Sequence, residues 1–252
     1  MKSIEEVGNV ETLIYNLLAY INNSLDKDIN YHIAKTLLEN SHKIEGFSLE
    51  TVAEVCNVAP STINRFCKRI GFRNFSSLRN SVMKYGASLE KNDTALSGDS
   101  FIAQLKENVE IIENIPKEQI ERIVKQISKS RRVVILGFEK NQIQALELQK
   151  KILLAGKFCE CNTNIFKQMD ALDILTEEDM IITISIQGYL LSEEFLLFEK
   201  LKKTKGKKLL ITFSEPHQHL ELFDEILQCG KIENSAVSSQ TLLRLFDVLK
   251  FD

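Results

Sequence analysis

The sequence lacks any run of about 18 consecutive apolar residues, so it offers no segment long enough to cross a membrane as a helix. Residues 1–6 turn acidic at once and contain no apolar core of the kind that a secretory signal has. Internal repeats and low-complexity tracts are absent as well, and the hydrophobic content of 44% and charged content of 27% are ordinary for a globular protein. We therefore expect a globular protein of the cytoplasm that makes no contact with membranes.

Cysteine is scarce, and the five that occur make an odd set. Because two of them fall within helical patterns, we expect reduced, packed thiols. Cys159 and Cys161, together with His217 and His219, are a conceivable zinc set, but paired zinc cysteines usually have two or more residues between them. Residues two apart in a strand point to the same face, which explains the cysteine pair by packing. The sequence predicts no metal site and no cofactor.

Acidic residues are missing from one long interval, between Glu54 and Glu90, although the whole chain has a formal charge of -3. The interval carries six cations: Arg65, Lys68, Arg69, Arg73, Arg79 and Lys84. A basic island in a chain that is acidic overall favours specific contact with DNA over general coating of nucleic acid.

Within this interval and just before it, residues 48–75 read as a helix, a tight turn and a second helix. Ser48 opens the first helix, and Pro60 suits the first turn of the second, where its missing N–H does no harm. Ala59 is then the N-cap, although alanine is a poor one, and Gly71 ends the helix. A helical pair of this kind lays its second helix in the major groove of DNA.

The first residues of the second helix are predicted to face the bases, because asparagine pairs well with adenine and arginine with guanine. Residues further along are predicted to bind phosphates. The predicted base-reading residues are Ser61, Thr62, Asn64 and Arg65, and the predicted phosphate contacts are Lys68, Arg69 and Arg73. The predicted core of the pair is Val52, Val55, Val58, Ile63, Phe66 and Ile70. A helical hairpin with a merely solvated basic face is the alternative, and the short turn and the six uncompensated cations count against it.

Residues 52–79 resemble the helix-turn-helix of RpiR-type bacterial transcription regulators. The likeness is dense and includes Arg65-Phe66 and Gly71-Phe72, with alanine at the N-cap where the family often has serine. The resemblance implies a bacterial DNA-binding regulator that is not an enzyme. It also implies a homodimer or higher homo-oligomer that binds a palindromic operator.

The chain changes character after the polar residues 90–100, which we predict to be a linker between a helix-turn-helix domain at 1–89 and a second domain at 101–252. In the second domain helical patterns alternate with short apolar runs, which predicts a parallel sheet covered on both faces. The expected fold class is α + α/β, an N-terminal all-helical helix-turn-helix domain followed by a three-layer α/β domain with a parallel sheet. The predicted helices are 10–22, 30–40 (with Asn30 as a cap), 75–89, 101–114, 117–129, 141–155 and 190–203, and the predicted strands are 132–137, 157–161, 180–185, 208–213 and 224–228.

RpiR-type regulators carry a C-terminal SIS (sugar isomerase) domain, so the resemblance implies a phosphosugar-binding fold for the second domain. Polar residues of this chain at the family's ligand loops are the predicted effector contacts: Asn141, Ser185, Gln187, Gly188 and Thr212. Asp179 also matches the family pattern. Departures from the pattern remove what a phosphate needs, because Glu139 replaces a glycine, and Gln187 and Leu190 replace hydroxyl residues. A phosphosugar or related anion, an altered ligand, and a domain retained for dimerisation alone all remain open.

Catalysis is a second functional class, because SIS folds include isomerases that use a glutamate or histidine base. Glu193, Glu194, His217 and His219 are present, but an enzyme must hold its substrate before a base is useful, and the ligand loop departs from the family. A metabolic isomerase also has no need of a fused DNA-binding domain. A scaffold with no specific DNA site is the third class.

Overall fold

The computed structural model describes residues 9–83, 97–137, 141–163, 165–186, 196–213, 219–231 and 235–251. Helices occupy the first part of the chain, and a five-stranded parallel sheet flanked by helices follows. The predicted α + α/β class is confirmed. In the part of the chain that the structure describes, no helix is long and apolar enough to span a membrane.

Residues 9–83 of the N-terminal part form five α-helices and one short 3-10 helix. Its α-helices are α1 (Asn9–Asn23), α2 (Ile29–Glu39), α3 (Leu49–Val55), α4 (Pro60–Arg69) and α5 (Phe75–Met83), with the 3-10 helix at Ser41–Gly46. The predicted cap of α2 is wrong: Asp28 is the N-cap, because its Oδ1 accepts the N–H of Tyr31 at 2.9 Å, while Asn30 lies inside the helix. The helix predicted at 75–89 is described as far as Met83.

The helix predicted at 101–114 begins three residues earlier, at Gly98. Helix α6 (Gly98–Glu113) starts inside the predicted linker, where Ser97 is the N-cap and its Oγ accepts the N–H of Ser100 at 3.3 Å. Residues 84–96 lie outside the described residues, so the rest of the linker and the domain boundary stay predictions. The helices that follow are α7 (Lys117–Lys129), α8 (Asn141–Leu154), α9 (Ile165–Asp173), α10 (Leu196–Lys203) and α11 (Ser235–Val248).

The strands form one parallel sheet in the order β2-β1-β3-β4-β5. They are β1 (Val133–Gly137), β2 (Glu160–Cys161), β3 (Met180–Ile184), β4 (Lys207–Thr212) and β5 (Glu225–Gln228). Because side chains alternate along a strand, Ile135 and Ile182 pack against α6, α7, α8 and α11, while Leu136 and Ile181 pack toward α9 and α10. Helices therefore cover both faces, as a three-layer domain requires. Helix α9 was not predicted, and β2 is shorter than the predicted 157–161.

Candidate DNA-binding surface and effector site

The turn between α3 and α4 has the geometry that the sequence predicts. Asn57 adopts a left-handed conformation with φ of 54°, which asparagine tolerates better than most residues, and Val58 N–H bonds to the Ala53 carbonyl at 2.9 Å. Ala59 is the N-cap and its side chain makes no capping bond, while Pro60 is the first residue of α4. Gly71, at φ of 94°, follows the end of α4. The predicted turn, N-cap and helix end are confirmed.

One face of α4 is buried in the helical core. Ile63, Phe66 and Ile70 have no solvent exposure, and Tyr20 of α1 meets Phe66 edge to face with ring centroids 5.6 Å apart. The amide of Asn16 also donates to the Ile70 carbonyl at 3.4 Å, so α1 holds α4 along its length. In the predicted core, Val52 is buried and Val58 is half-buried, but Val55 is 44% exposed and its prediction is wrong. Val55 is the last residue of α3.

The opposite face of α4 is exposed and basic. Ser61, Arg65 and Lys68 are all exposed, and no acidic residue lies in the first turn. Half-buried Thr62 accepts a hydrogen bond from Nη2 of Arg65 through its Oγ1 at 3.3 Å, which orients the guanidinium along the helix surface. This arrangement suits contact with a DNA groove, and these contacts stay predictions.

Asn64 has a structural bond that sequence reasoning missed. Its Oδ1 accepts the backbone N–H of Phe75 at 3.0 Å and so links α4 to the first residue of α5. Bidentate recognition of adenine needs that same oxygen as an acceptor, together with the amide as a donor. The bond to Phe75 occupies one of the two lone pairs of this oxygen, and the contact of Asn64 with a base stays a prediction.

Two of the three predicted phosphate contacts interact with the protein itself. Arg69 acts on Tyr20 and Asp28: burial raises the pKa of Tyr20 and Asp28 raises it further, while Arg69 opposes both. The pKa of Asp28 is lowered, mainly by the N–H of Tyr31 and in smaller part by Arg69. Arg73 lies 3.9 Å from the carboxylate of Glu199 on α10. Of the predicted set, Arg65 and Lys68 are left as the strongest candidates for DNA contact.

The candidate effector site begins where β1 meets α8. A side chain at Gly137 would put its Cβ 2.5 Å from Ala145 Cβ and 2.8 Å from the Asn141 carbonyl oxygen, so only glycine lets α8 approach the strand this closely. Residues 138–140, which include Glu139, lie outside the described residues. The end of a parallel strand at the start of a helix is the usual place for an anionic ligand.

The structure brings three of the five predicted effector contacts to one edge of the sheet. Asn141, Ser185 and Thr212 are buried and follow or end the adjacent strands β1, β3 and β4. The register fixes this, since Gly137 pairs with Ile184 and Ile184 with Ile211. Gln187 and Gly188 lie outside the described residues. Their roles, like those of the other three, stay predictions.

Three more polar residues near this edge were missed from the sequence: Gln144, Gln168 and Thr183. All are buried, and Oε1 of Gln144 and Gln168, Oγ1 of Thr183 and Oδ1 of Asn141 have no hydrogen-bond partner among the described residues. Gln168 donates through Nε2 to the carbonyls of Gly137, at 3.1 Å, and Asn162, at 2.6 Å, which leaves its oxygen unpaired. Buried polar atoms without a hydrogen-bond partner are unfavourable. Thr183, the lone hydroxyl in an apolar strand, was the one signal in the sequence.

Asp179 lies at the other end of β3 and is not part of this edge. Its side chain is fully buried and accepts hydrogen bonds from Arg131 Nη2 at 2.7 Å and from the N–H of Thr176 at 2.7 Å. Burial alone would raise the pKa of Asp179, but the donors of Arg131 and Thr176 outweigh it and lower that pKa. Asp179 therefore holds the entry of β3 in place and does not face an effector.

The zinc alternative gains no support. Across the described ranges, no three histidine, cysteine or acidic residues are grouped as a metal would need. Burial raises the pKa of Cys159 to about 11 and that of Cys161 to about 12, which keeps both thiols protonated, and both are free of disulfides. His217 lies outside the described residues.

The chain is similar to known proteins in sequence and in fold. Residues 15–88 match the family described as helix-turn-helix domain, rpiR family. An uncharacterized HTH-type transcriptional regulator of Haemophilus influenzae is 27% identical over 253 residues, covering 92% of this chain and 85% of that protein. The NanR protein of Vibrio vulnificus, solved in complex with ManNAc-6P, has a TM-score of 0.54 at 17% identity and covers 94% of this chain and 89% of its own. The sugar isomerase domain of an RpiR transcription factor from Sphaerobacter thermophilus has a TM-score of 0.45 at 17% identity. The match covers 59% of this chain and 93% of that domain's chain.

Proposed function

We propose that the protein is a transcription regulator whose helix-turn-helix binds DNA, and that a sugar phosphate bound at its SIS-type domain controls that binding. The DNA-binding part of the proposal is supported by the exposed basic face of α4, which carries Arg65 and Lys68 above a fully packed core. We further propose that the protein acts as a dimer on a palindromic operator, because two recognition helices about one DNA turn apart read two half-sites.

The effector part rests on the carboxyl edge of the sheet. Asn141, Ser185 and Thr212 gather there at the start of a helix, which favours an anionic group such as a phosphate. The unpaired amide oxygen of Gln168 needs a donor, and the unpaired hydroxyl of Thr183 can donate or accept. The hydroxyl groups of a sugar can do both. An effector shifts DNA binding only if it favours one arrangement of the two heads over the other.

The effector is tested by thermal unfolding of the full chain with sugar phosphates, amino-sugar phosphates and the free sugars. A ligand at about 100 times its dissociation constant stabilises the domain by about 2.7 kcal/mol, enough to move the melting temperature visibly. We expect a shift with one phosphorylated sugar that is lost in Ser185→Ala. The matched control is Ser128→Ala, which removes an exposed hydroxyl on α7 and should keep the shift. If no sugar phosphate shifts the melting temperature, the effector proposal is wrong.

A binding role without catalysis is our proposal for the second domain. Of the candidate bases, Glu193, Glu194 and His217 lie outside the described residues. His219 has a left-handed backbone with φ of 72° and packs against the Phe198 ring at 4.9 Å between centroids. An isomerase assay with the same sugar phosphates checks this, and turnover that is lost in His219→Ala would overturn it.

A further inference from the structure

The helical part of the chain is docked on the α/β part. Buried apolar residues of α1–α5 belong to the same hydrophobic cluster as buried apolar residues of α9 and α10. Two polar contacts accompany this packing. One joins Thr163, between β2 and α9, to Asn23 at the end of α1, and the other joins Glu199 on α10 to Arg73, which follows α4. Apolar packing has no direction, whereas a hydrogen bond does, so these contacts favour one orientation of the two parts.

The first contact acts on the helix that holds α4. Asn23 donates through Nδ2 to the Ala19 carbonyl one turn earlier at 2.8 Å, and its Oδ1 accepts the hydroxyl of Thr163 at 3.1 Å. Helix α1 also carries Asn16 and Tyr20, which contact α4 along its length. The hydroxyl of Thr163 therefore holds the end of a helix that packs against the recognition helix.

The chain around Thr163 is also bonded to the candidate effector edge. Gln142, the second residue of α8, donates through Nε2 to the Thr163 carbonyl at 2.9 Å. Gln168 of α9 donates to the carbonyls of Asn162, at 2.6 Å, and Gly137, at 3.1 Å. Side chains from two helices at this edge thus fix the segment that contacts α1.

The second contact engages a residue that the sequence predicts to bind DNA. Nη2 of Arg73 lies 3.9 Å from Oε1 of Glu199. The pKa of Glu199 is lowered, first by a hydrogen bond from Lys202 and then by the positive charges of Lys202 and Arg73, so its carboxylate is charged at neutral pH. A phosphate and a carboxylate are both partners for one guanidinium. Glu199 therefore competes with DNA for Arg73.

We propose that the docked arrangement is autoinhibitory: the α/β part holds α1 through Thr163 and Arg73 through Glu199, and thereby weakens DNA binding. The proposal rests on the proposed function, since it takes Arg73 as a contact to a DNA phosphate. Arg65 and Lys68 stay exposed in the docked form, so docking lowers the affinity without covering the recognition helix. An effector that repositions the two glutamines at the edge shifts the balance between docked and undocked forms.

The test measures the affinity of the full chain for one DNA duplex at constant salt, with no effector present. Glu199→Gln should raise the affinity about threefold, as expected for loss of an exposed ion pair that competes with DNA. Glu178→Gln is the matched control, because it removes the same charge from a carboxylate that also lies 3.9 Å from an arginine, at the amino end of β3. It should leave the affinity nearly unchanged. In an Arg73→Ala background, Glu199→Gln should lose its effect.

The contact with α1 has its own pair of variants. Thr163→Val keeps the size of the side chain and removes its hydroxyl, and it should also raise the affinity for DNA about threefold. Gln142→Leu, at the effector edge, should do the same, and the two effects should not add, because both act through one contact. Urea unfolding checks that each variant is folded.

Two outcomes overturn the autoinhibition. One is a Glu199→Gln variant whose affinity rises no more than that of Glu178→Gln, or whose gain persists without Arg73. The other is a Thr163→Val variant that binds DNA no more tightly than the wild type. If neither the wild type nor any variant binds DNA, the proposed function is wrong as well, whereas DNA binding that no variant strengthens refutes the autoinhibition alone.

Discussion

Replacing Asn64 by alanine should reveal whether this residue supports the helix-turn-helix or reads a base. The change removes the oxygen that accepts the Phe75 N–H at 3.0 Å, and a buried donor left without a partner costs about 1–3 kcal/mol. Alanine is the better helix former by at most about 0.7 kcal/mol, which offsets part of that loss. We expect the free energy of unfolding to fall by about 0.5–2.5 kcal/mol. In a domain of this size each kcal/mol lowers the melting temperature by about 4–8 °C.

The assay compares urea unfolding and DNA binding for Asn64→Ala, Asn64→Asp and Arg65→Ala. Asn64→Asp keeps the acceptor and should retain stability, whereas Arg65→Ala removes an exposed side chain and should change stability by less than about 0.5 kcal/mol. The reasoning is refuted if Asn64→Ala leaves stability unchanged and instead loses discrimination at one A·T base pair. That outcome would mean that Asn64 reads adenine and that its bond to Phe75 contributes nothing.

Three further predictions concern stability, strain and salt. Asp179→Asn should lower the free energy of unfolding at neutral pH by about 1–3 kcal/mol, measured with urea, because it weakens the bonds from Arg131 and Thr176. The pKa of Asp179 is lowered in the folded protein, so the stability that its charge contributes is fully present above the unfolded pKa of about 3.9. This stability is lost as the pH falls through the folded pKa. A wild type whose unfolding free energy falls no more in acid than that of Asp179→Asn would contradict this. Gly137→Ala should cost about 1–3 kcal/mol by pushing α8 from β1, and unchanged unfolding would show that the contact with Ala145 relaxes freely. Lys68→Ala should reduce the slope of log affinity against log salt by about one unit on every DNA sequence, and an unchanged slope would remove Lys68 from the phosphate contacts.

Local sequence rules located most of the fold. The strands β1, β3 and β4 are short apolar runs, as buried parallel strands must be, and the ends of α3 and α4 follow from Ser48, Pro60 and Gly71. Those residues act on their own stretch of backbone, so their effects are readable without knowing the tertiary structure. Helix α9 was not predicted because it has only nine residues and because no strong N-cap signal precedes it in the sequence.

The site was less predictable, since its decisive contacts join residues far apart in the sequence. Asn64 meets Phe75 across a turn, and Arg69 acts on Tyr20 of a helix nearly 50 residues earlier. Asn64 and Arg69 were predicted to contact DNA from their residue types and positions in α4 alone. At the effector edge, Gln168 matters only because α9 brings it to the Gly137 carbonyl, and no local pattern in the sequence encodes that approach.

Selection of binding sequences from a random DNA pool, done in parallel with the wild type and Arg65→Ala, tests DNA recognition by α4 most directly. We expect the wild type to enrich a palindrome whose half-sites lie about 10 base pairs apart from centre to centre. Arg65→Ala should lose about 1–3 kcal/mol of discrimination at one position in each half-site and keep the others. If the wild type enriches no sequence, or if Arg65→Ala weakens binding equally on every sequence, α4 does not read DNA through Arg65.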